Sequence, residues 1–213
     1  MASGRVAAAV GIYGGLGAIA WAGAAAVGAS PFHRAITLGG ARWVSLPVAL
    51  FAGIAAGVAG IAVTRWLGRS SRWGRAMTLE LQDALTNTSA DAATLLAIAS
   101  ALGEEMLFRG GIQAGLTSAI GPVTGVLMAS ALFGALHVPW NRRLWSWTAM
   151  ATVMGLVFGA LYLATGELLA PVVAHAVINR ENLRYLLATR APVGKPSTLT
   201  AFTPTRPGVA GSR

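Results

Sequence analysis

Long runs of apolar residues without internal charge constrain this chain more than any other feature. The run Val6–Gly28 contains no charged residue, and about 20 apolar residues cross a bilayer as a helix. Five further stretches are candidate spans: Trp43–Thr64, Gly121–His137 and Leu144–Ala164, also without Asp, Glu, Lys or Arg, and Asp91–Gln113 and Leu168–Ala188, which carry a few charges. Composition agrees. Apolar residues make up 55% of the 213 and charged residues only 11%, against about 25% charged in an ordinary soluble domain. In a bilayer every backbone polar group must find an internal partner, which leaves helices or closed barrels. Runs of this length predict an all-α polytopic membrane bundle of about six transmembrane helices. Asp91 is the expected N-cap of the third span, and Pro171 sits near the first turn of the sixth. The bundle is expected to form one domain over 1–190, followed by a flexible basic tail over 191–213 that is rich in Pro, Thr, Gly and Arg.

The first run has Arg5 ahead of it and small residues at 24–29, as a secretory signal does. Its apolar core exceeds the roughly 7–15 residues of a signal, so a retained helix is the reading. Between the second and third runs lies a basic loop with Arg65, Arg69, Arg72 and Arg75. A half-polar stretch, Met77–Ala90, reads as a short interfacial helix. If that loop is cytoplasmic, so are both termini and the Arg142–Arg143 loop, leaving Arg34 and Arg42 outside. The net charge of +9 is thus spread over loops and tail rather than over one folded face, which argues against a nucleic-acid partner. There are no cysteines, so disulfides, thiolate metal sites and cysteine nucleophiles are excluded. Gly-x-Ser-x-Gly, Gly-x-Gly-x-x-Gly, Walker A and His-Glu-x-x-His motifs are all absent. Glycine pairs four residues apart, Gly11/Gly15, Gly53/Gly57 and Gly155/Gly159, are expected to let helices pack closely within the molecule.

Charged and polar side chains inside apolar helices are functional candidates by default, because they are costly there. Three groups stand out. Glu104 and Glu105 are adjacent carboxylates that will not both ionise cheaply in an apolar helix. Glu105 and Arg109, four apart with the acid first, form a same-face pair. Glu104 is rotated away from Arg109 and free to act on water as a general base. Phe133 and His137 share a face at the end of the fourth run. His175 and Asn179 project together from the sixth, a pair suited to holding an oxyanion or orienting a water. His33, in a loop beside Pro31, and Glu167, in a short turn, have no such role.

Glu-Glu-x-x-x-Arg at 104–109, Phe-x-x-x-His at 133–137 and His-x-x-x-Asn at 175–179, each on its own apolar helix, resemble the CPBP family. These are the CAAX-protease-like and bacteriocin-processing (Abi) intramembrane endopeptidases. The resemblance covers roughly 91–188. It implies hydrolysis of peptide bonds in membrane-associated protein or peptide substrates. Glu104 would activate water with His137 helping to hold it, His175 and Asn179 would stabilise the oxyanion, and Glu105 with Arg109 would set the geometry. Two histidines and a glutamate also make a zinc set, with Glu104, His137 and His175 as candidates. Commitment of Glu105 to Arg109 favours a mechanism without a metal cofactor. A small proton-coupled transporter, or a non-catalytic immunity or adaptor protein of the same fold, is the alternative. The expected location is the bacterial inner membrane. Counting along the runs places Glu104 and His175 deeper in the bilayer than His137.

Overall fold

The computed structural model describes residues 2–26, 30–32, 44–139 and 144–190. His33, Arg34, Arg42, Trp140, Arg142, Arg143 and the tail 191–213 lie outside them. The elements among the described residues are all helices: α1 (Ala2–Ala26), α2 (Leu46–Ser70), α3 (Arg72–Ala84), α4 (Ala90–Glu105), a π-helical segment (Met106–Gln113), α5 (Ala114–Ile120), α6 (Pro122–Ala135), α7 (Trp145–Thr165) and α8 (Leu169–Thr189). The expected all-α membrane bundle is what forms. Among the described residues, three helices are long and apolar enough to cross a bilayer by themselves: Val6–Ala26, Leu46–Ser70 and Trp145–Thr165. The other three expected spans are interrupted or more polar. α4 has 16 residues before its winding changes, α6 has 14, and α8 carries Arg180, Glu181 and Arg184 in its second half.

α8 is the hub, packed against α2, α4, α7 and α3, while α1 lies on α4 and α6 lies on α7. The α2–α8 contact depends on missing side chains. A Cβ on Gly53 would sit 2.6 Å from the Ala170 carbonyl oxygen, and one on Gly57 2.9 Å from Val177 Cγ1. Gly155 likewise lies against Ser130, and Gly159 against Gln113. Gly11 and Gly15 depart from the expectation, with no atom within 4 Å of where their Cβ would be. The face of α1 turned inward runs instead through Gly17, Ala20 and Ala24, which are buried. The outward faces of α1 and α2 expose Ile12, Ile19, Trp21, Phe51, Ile54 and Val58, an apolar surface that suits lipid contact.

Three local expectations need correction. The cap of α4 is Ser89, whose side chain accepts from the Ala92 N–H, and Asp91 falls in the first turn. The stretch read as a basic loop is helical almost throughout: Arg65 and Arg69 are on α2, Arg72 and Arg75 on α3. Ser71 alone makes the break, accepting from the Gly74 N–H at 3.0 Å to cap α3. The half-polar helix therefore starts five residues earlier than Met77 and ends at Ala84. Glu167 does lie in a turn, formed with Gly166 in the left-handed conformation (φ 71°), but it is buried at 3% exposure.

Candidate active site

The third apolar run turns into the site by changing its helical winding. After Glu105 the chain enters the π-helical segment, in which the Ala114 N–H reaches back five residues to the Arg109 carbonyl. Such widened turns recur at functional sites. Here the segment aims two long polar side chains at α7. Arg109 Nη2 donates to the Gly155 carbonyl at 2.8 Å, and Gln113 Nε2 to the Gly159 carbonyl at 3.0 Å. The Gly155/Gly159 pair thus does more than permit close packing, since it leaves two carbonyls within reach of buried donors.

Glu105 is fully buried and Arg109 is 1% exposed. Arg109 Nε lies 3.1 Å from Glu105 Oε2, the expected same-face pair. The guanidinium also sits 4.8 Å from the Phe133 ring centroid and 5.7 Å from that of Phe158. The other oxygen of Glu105 lies 2.7 Å from His175 Nδ1. A carboxylate accepts, so Nδ1 of His175 carries a proton, and Nε2 faces the other way. Phe158 stacks on the same imidazole, centroids 4.9 Å apart. His137 is oriented by the same logic, because its Nδ1 lies 2.7 Å from the Phe133 carbonyl oxygen, which only accepts. Phe133 supports that ring at 4.5 Å, and Thr148 donates to the His137 carbonyl at 2.9 Å.

Both histidines therefore direct Nε2 at one atom. Glu104 Oε2 lies 3.8 Å from His137 Nε2 and 4.0 Å from His175 Nε2. One carboxylate oxygen thus faces both rings. His137 lies two residues beyond α6, whose 14 residues extend about 21 Å. Separations near 4 Å exceed direct hydrogen bonding and match a spacing bridged by one small polar group, such as water.

Five of the six candidate residues thus converge: Glu104, Glu105, Arg109, His137 and His175. Asn179 is one turn further along α8, where its Nδ2 donates to Ser100 Oγ at 3.2 Å. The candidates for a zinc set, Glu104, His137 and His175, place two imidazole Nε2 atoms 3.8 and 4.0 Å from one carboxylate oxygen. Among the described residues no three His, Asp or Glu side chains are grouped as a metal ion requires, and the second carboxylate is committed to Arg109 and His175 Nδ1.

Two contributors carried no motif. Tyr13 of α1 interacts with Glu104 through its hydroxyl, by charge and side-chain hydrogen bonding. Gly103 permits this approach, since a Cβ there would overlap the Tyr13 backbone carbonyl. Ser100 precedes Glu104 by one turn, and that spacing was the available signal for it. Tyr13 had none, lying in an apolar run with nothing to mark one face.

Comparison with known proteins falls on this same part of the chain. Residues 87–180 match the family model of the type II CAAX prenyl endopeptidases, Rce1-like. This segment is similar to that family. The match contains all three motifs and agrees with the CPBP resemblance. It shows similarity to membrane endopeptidases over that segment, and with the apolar helices it indicates an integral membrane protein. The chain is also 34% identical over 84 residues to the uncharacterized protein YpbD of Bacillus subtilis (strain 168). That alignment covers 39% of this chain and 40% of YpbD, so less than half of the relative's length is spanned. No solved structure matches.

Proposed function

We propose that the protein is an intramembrane endopeptidase in which Glu104 activates water. The observation that carries this reading is the convergence of two oriented imidazole Nε2 atoms on Glu104 Oε2, beside a second carboxylate already neutralised by Arg109. Glu104 takes a proton from a water held between it and His137 Nε2, and the hydroxide attacks the peptide carbonyl. The resulting oxyanion accepts hydrogen bonds from His175 Nε2 and Asn179 Nδ2. For His175 to donate from Nε2 while Nδ1 stays on Glu105, both ring nitrogens must carry protons. An imidazolium together with Arg109 balances the two glutamates, leaving the cluster with no net charge. Collapse of the tetrahedral intermediate breaks the C–N bond, and Glu104 returns its proton to the leaving amine. No step is assigned to a metal.

Substrates on this reading are membrane-associated proteins or peptides, not nucleic acid. The protein resides in a bacterial inner membrane with both termini cytoplasmic. The test is hydrolysis of a panel of membrane-anchored peptides by purified protein. Wild type cleaves at least one of them, and Glu104→Ala, folded to the same extent, cleaves none. Equal cleavage by the two proteins defeats the proposal.

A further inference from the structure

We propose that Ser100 is a positioning residue that sets the orientation of the Asn179 amide. The inference rests on the endopeptidase reading and adds a residue outside the three motifs. Ser100 is buried at 6% exposure on α4, one turn before Glu104. Its Oγ donates to the Ala97 carbonyl of its own helix at 3.2 Å. The single hydroxyl proton is then used, and what Ser100 offers to α8 is a lone pair. Asn179 must meet it with Nδ2 rather than Oδ1, and the Nδ2–Oγ separation is 3.2 Å. A flipped amide would set two acceptors against each other.

The choice between the two flips matters because the amide ends are chemically opposite. With Nδ2 on Ser100, the nitrogen keeps a second N–H for a substrate oxyanion. With the flip reversed, the group next to Ser100 would be an acceptor. The α4–α8 contact is therefore cross-linked at two successive turns: Glu105 to His175 at 2.7 Å, and Ser100 to Asn179. The first cross-link fixes the tautomer of a histidine and the second fixes the flip of an asparagine. Both are supplied by the helix that carries Glu104.

The experiment is a double-mutant cycle on full-length protein cleaving a membrane-anchored peptide. Ser100→Ala is expected to lower kcat roughly tenfold with KM unchanged, as removal of a transition-state interaction does. Ser100→Thr, which keeps the hydroxyl, restores kcat to within about threefold. In an Asn179→Ala background, Ser100→Ala changes kcat by less than about twofold, because nothing is left to orient. Multiplying effects, or full kcat in Ser100→Ala, overturn the proposal. A second readout needs no substrate. In 15N-asparagine-labelled protein, one Asn179 side-chain proton exchanges slowly, and Ser100→Ala abolishes that protection. Equal exchange in wild type and variant overturns the proposal whether or not cleavage is seen. Loss of cleavage in wild type alone defeats the endopeptidase reading and leaves the amide orientation to be judged by exchange.

Discussion

Replacing Arg109 by leucine removes the cation of a pair that is almost entirely out of solvent: Glu105 is 0% exposed and Arg109 1%. Three interactions go at once, namely the 3.1 Å contact to Glu105, the 2.8 Å bond to the Gly155 carbonyl and the placement over Phe133. Breaking a buried pair by deleting one partner costs about 3–5 kcal/mol. Polar groups of membrane helices partly find other partners in the unfolded reference state, so the lower end, about 3 kcal/mol, is the expected cost. For a chain of this size about 2–4 °C of melting temperature accompanies each kcal/mol, which gives a drop of roughly 6–12 °C. Thermal unfolding in detergent, followed by the fluorescence of the tryptophans, reads this directly. Arg109→Lys keeps the charge without the guanidinium fork and should fall between. Arg72→Leu, at an exposed position of α3, serves as control and should cost under about 0.5 kcal/mol. If Arg109→Leu melts within about 2 °C of wild type, as the control does, the pair does not anchor the site and the reasoning fails.

Other outcomes follow from the same geometry. Glu104→Gln should lower kcat by about 10²–10⁴-fold, as loss of a general base does, while circular dichroism and melting stay near wild type. Gly103→Ala places a Cβ on the Tyr13 carbonyl and should cost about 1–3 kcal/mol as α1 is pushed off α4, read as a lower melting temperature. Tyr13→Phe keeps that packing and removes only the hydroxyl at Glu104, so a fall in kcat at unchanged melting temperature is expected. Treatment with a strong chelator should leave peptide hydrolysis within about twofold of the untreated rate, because the proposed mechanism assigns no step to a metal.

Much of the site is legible in the sequence for one physical reason. A carboxylate or imidazole in an apolar helix is expensive, so Glu104, Glu105, Arg109, His137 and His175 mark themselves. The Glu105–Arg109 pair follows from four-residue spacing alone. Legibility is lower where position depends on backbone detail. The π-helical segment has no pattern that separates it from a continuing α-helix, yet it is what carries Arg109 and Gln113 to the α7 carbonyls. Glycine spacing shows where close approach is permitted but not where it is used: Gly53 and Gly57 are covered by α8, whereas Gly11 and Gly15 have no neighbour. Helix ends shift because caps compete locally. Ser89 takes the role expected of Asp91, and Ser71 starts α3 before the polar pattern begins. Tyr13 joins Glu104 through a contact between helices that are distant in sequence, and α1 itself gives no sign of it.

The central claim is that water activated by Glu104 hydrolyses a peptide bond, and isotope transfer tests it most directly. A membrane-anchored peptide cleaved by wild type is incubated with the protein in H₂¹⁸O, and the products are weighed by mass spectrometry. The account predicts one ¹⁸O in the new C-terminal carboxylate with wild type, and no labelled product above background with Glu104→Gln. Labelled product formed at wild-type rate by Glu104→Gln would contradict it.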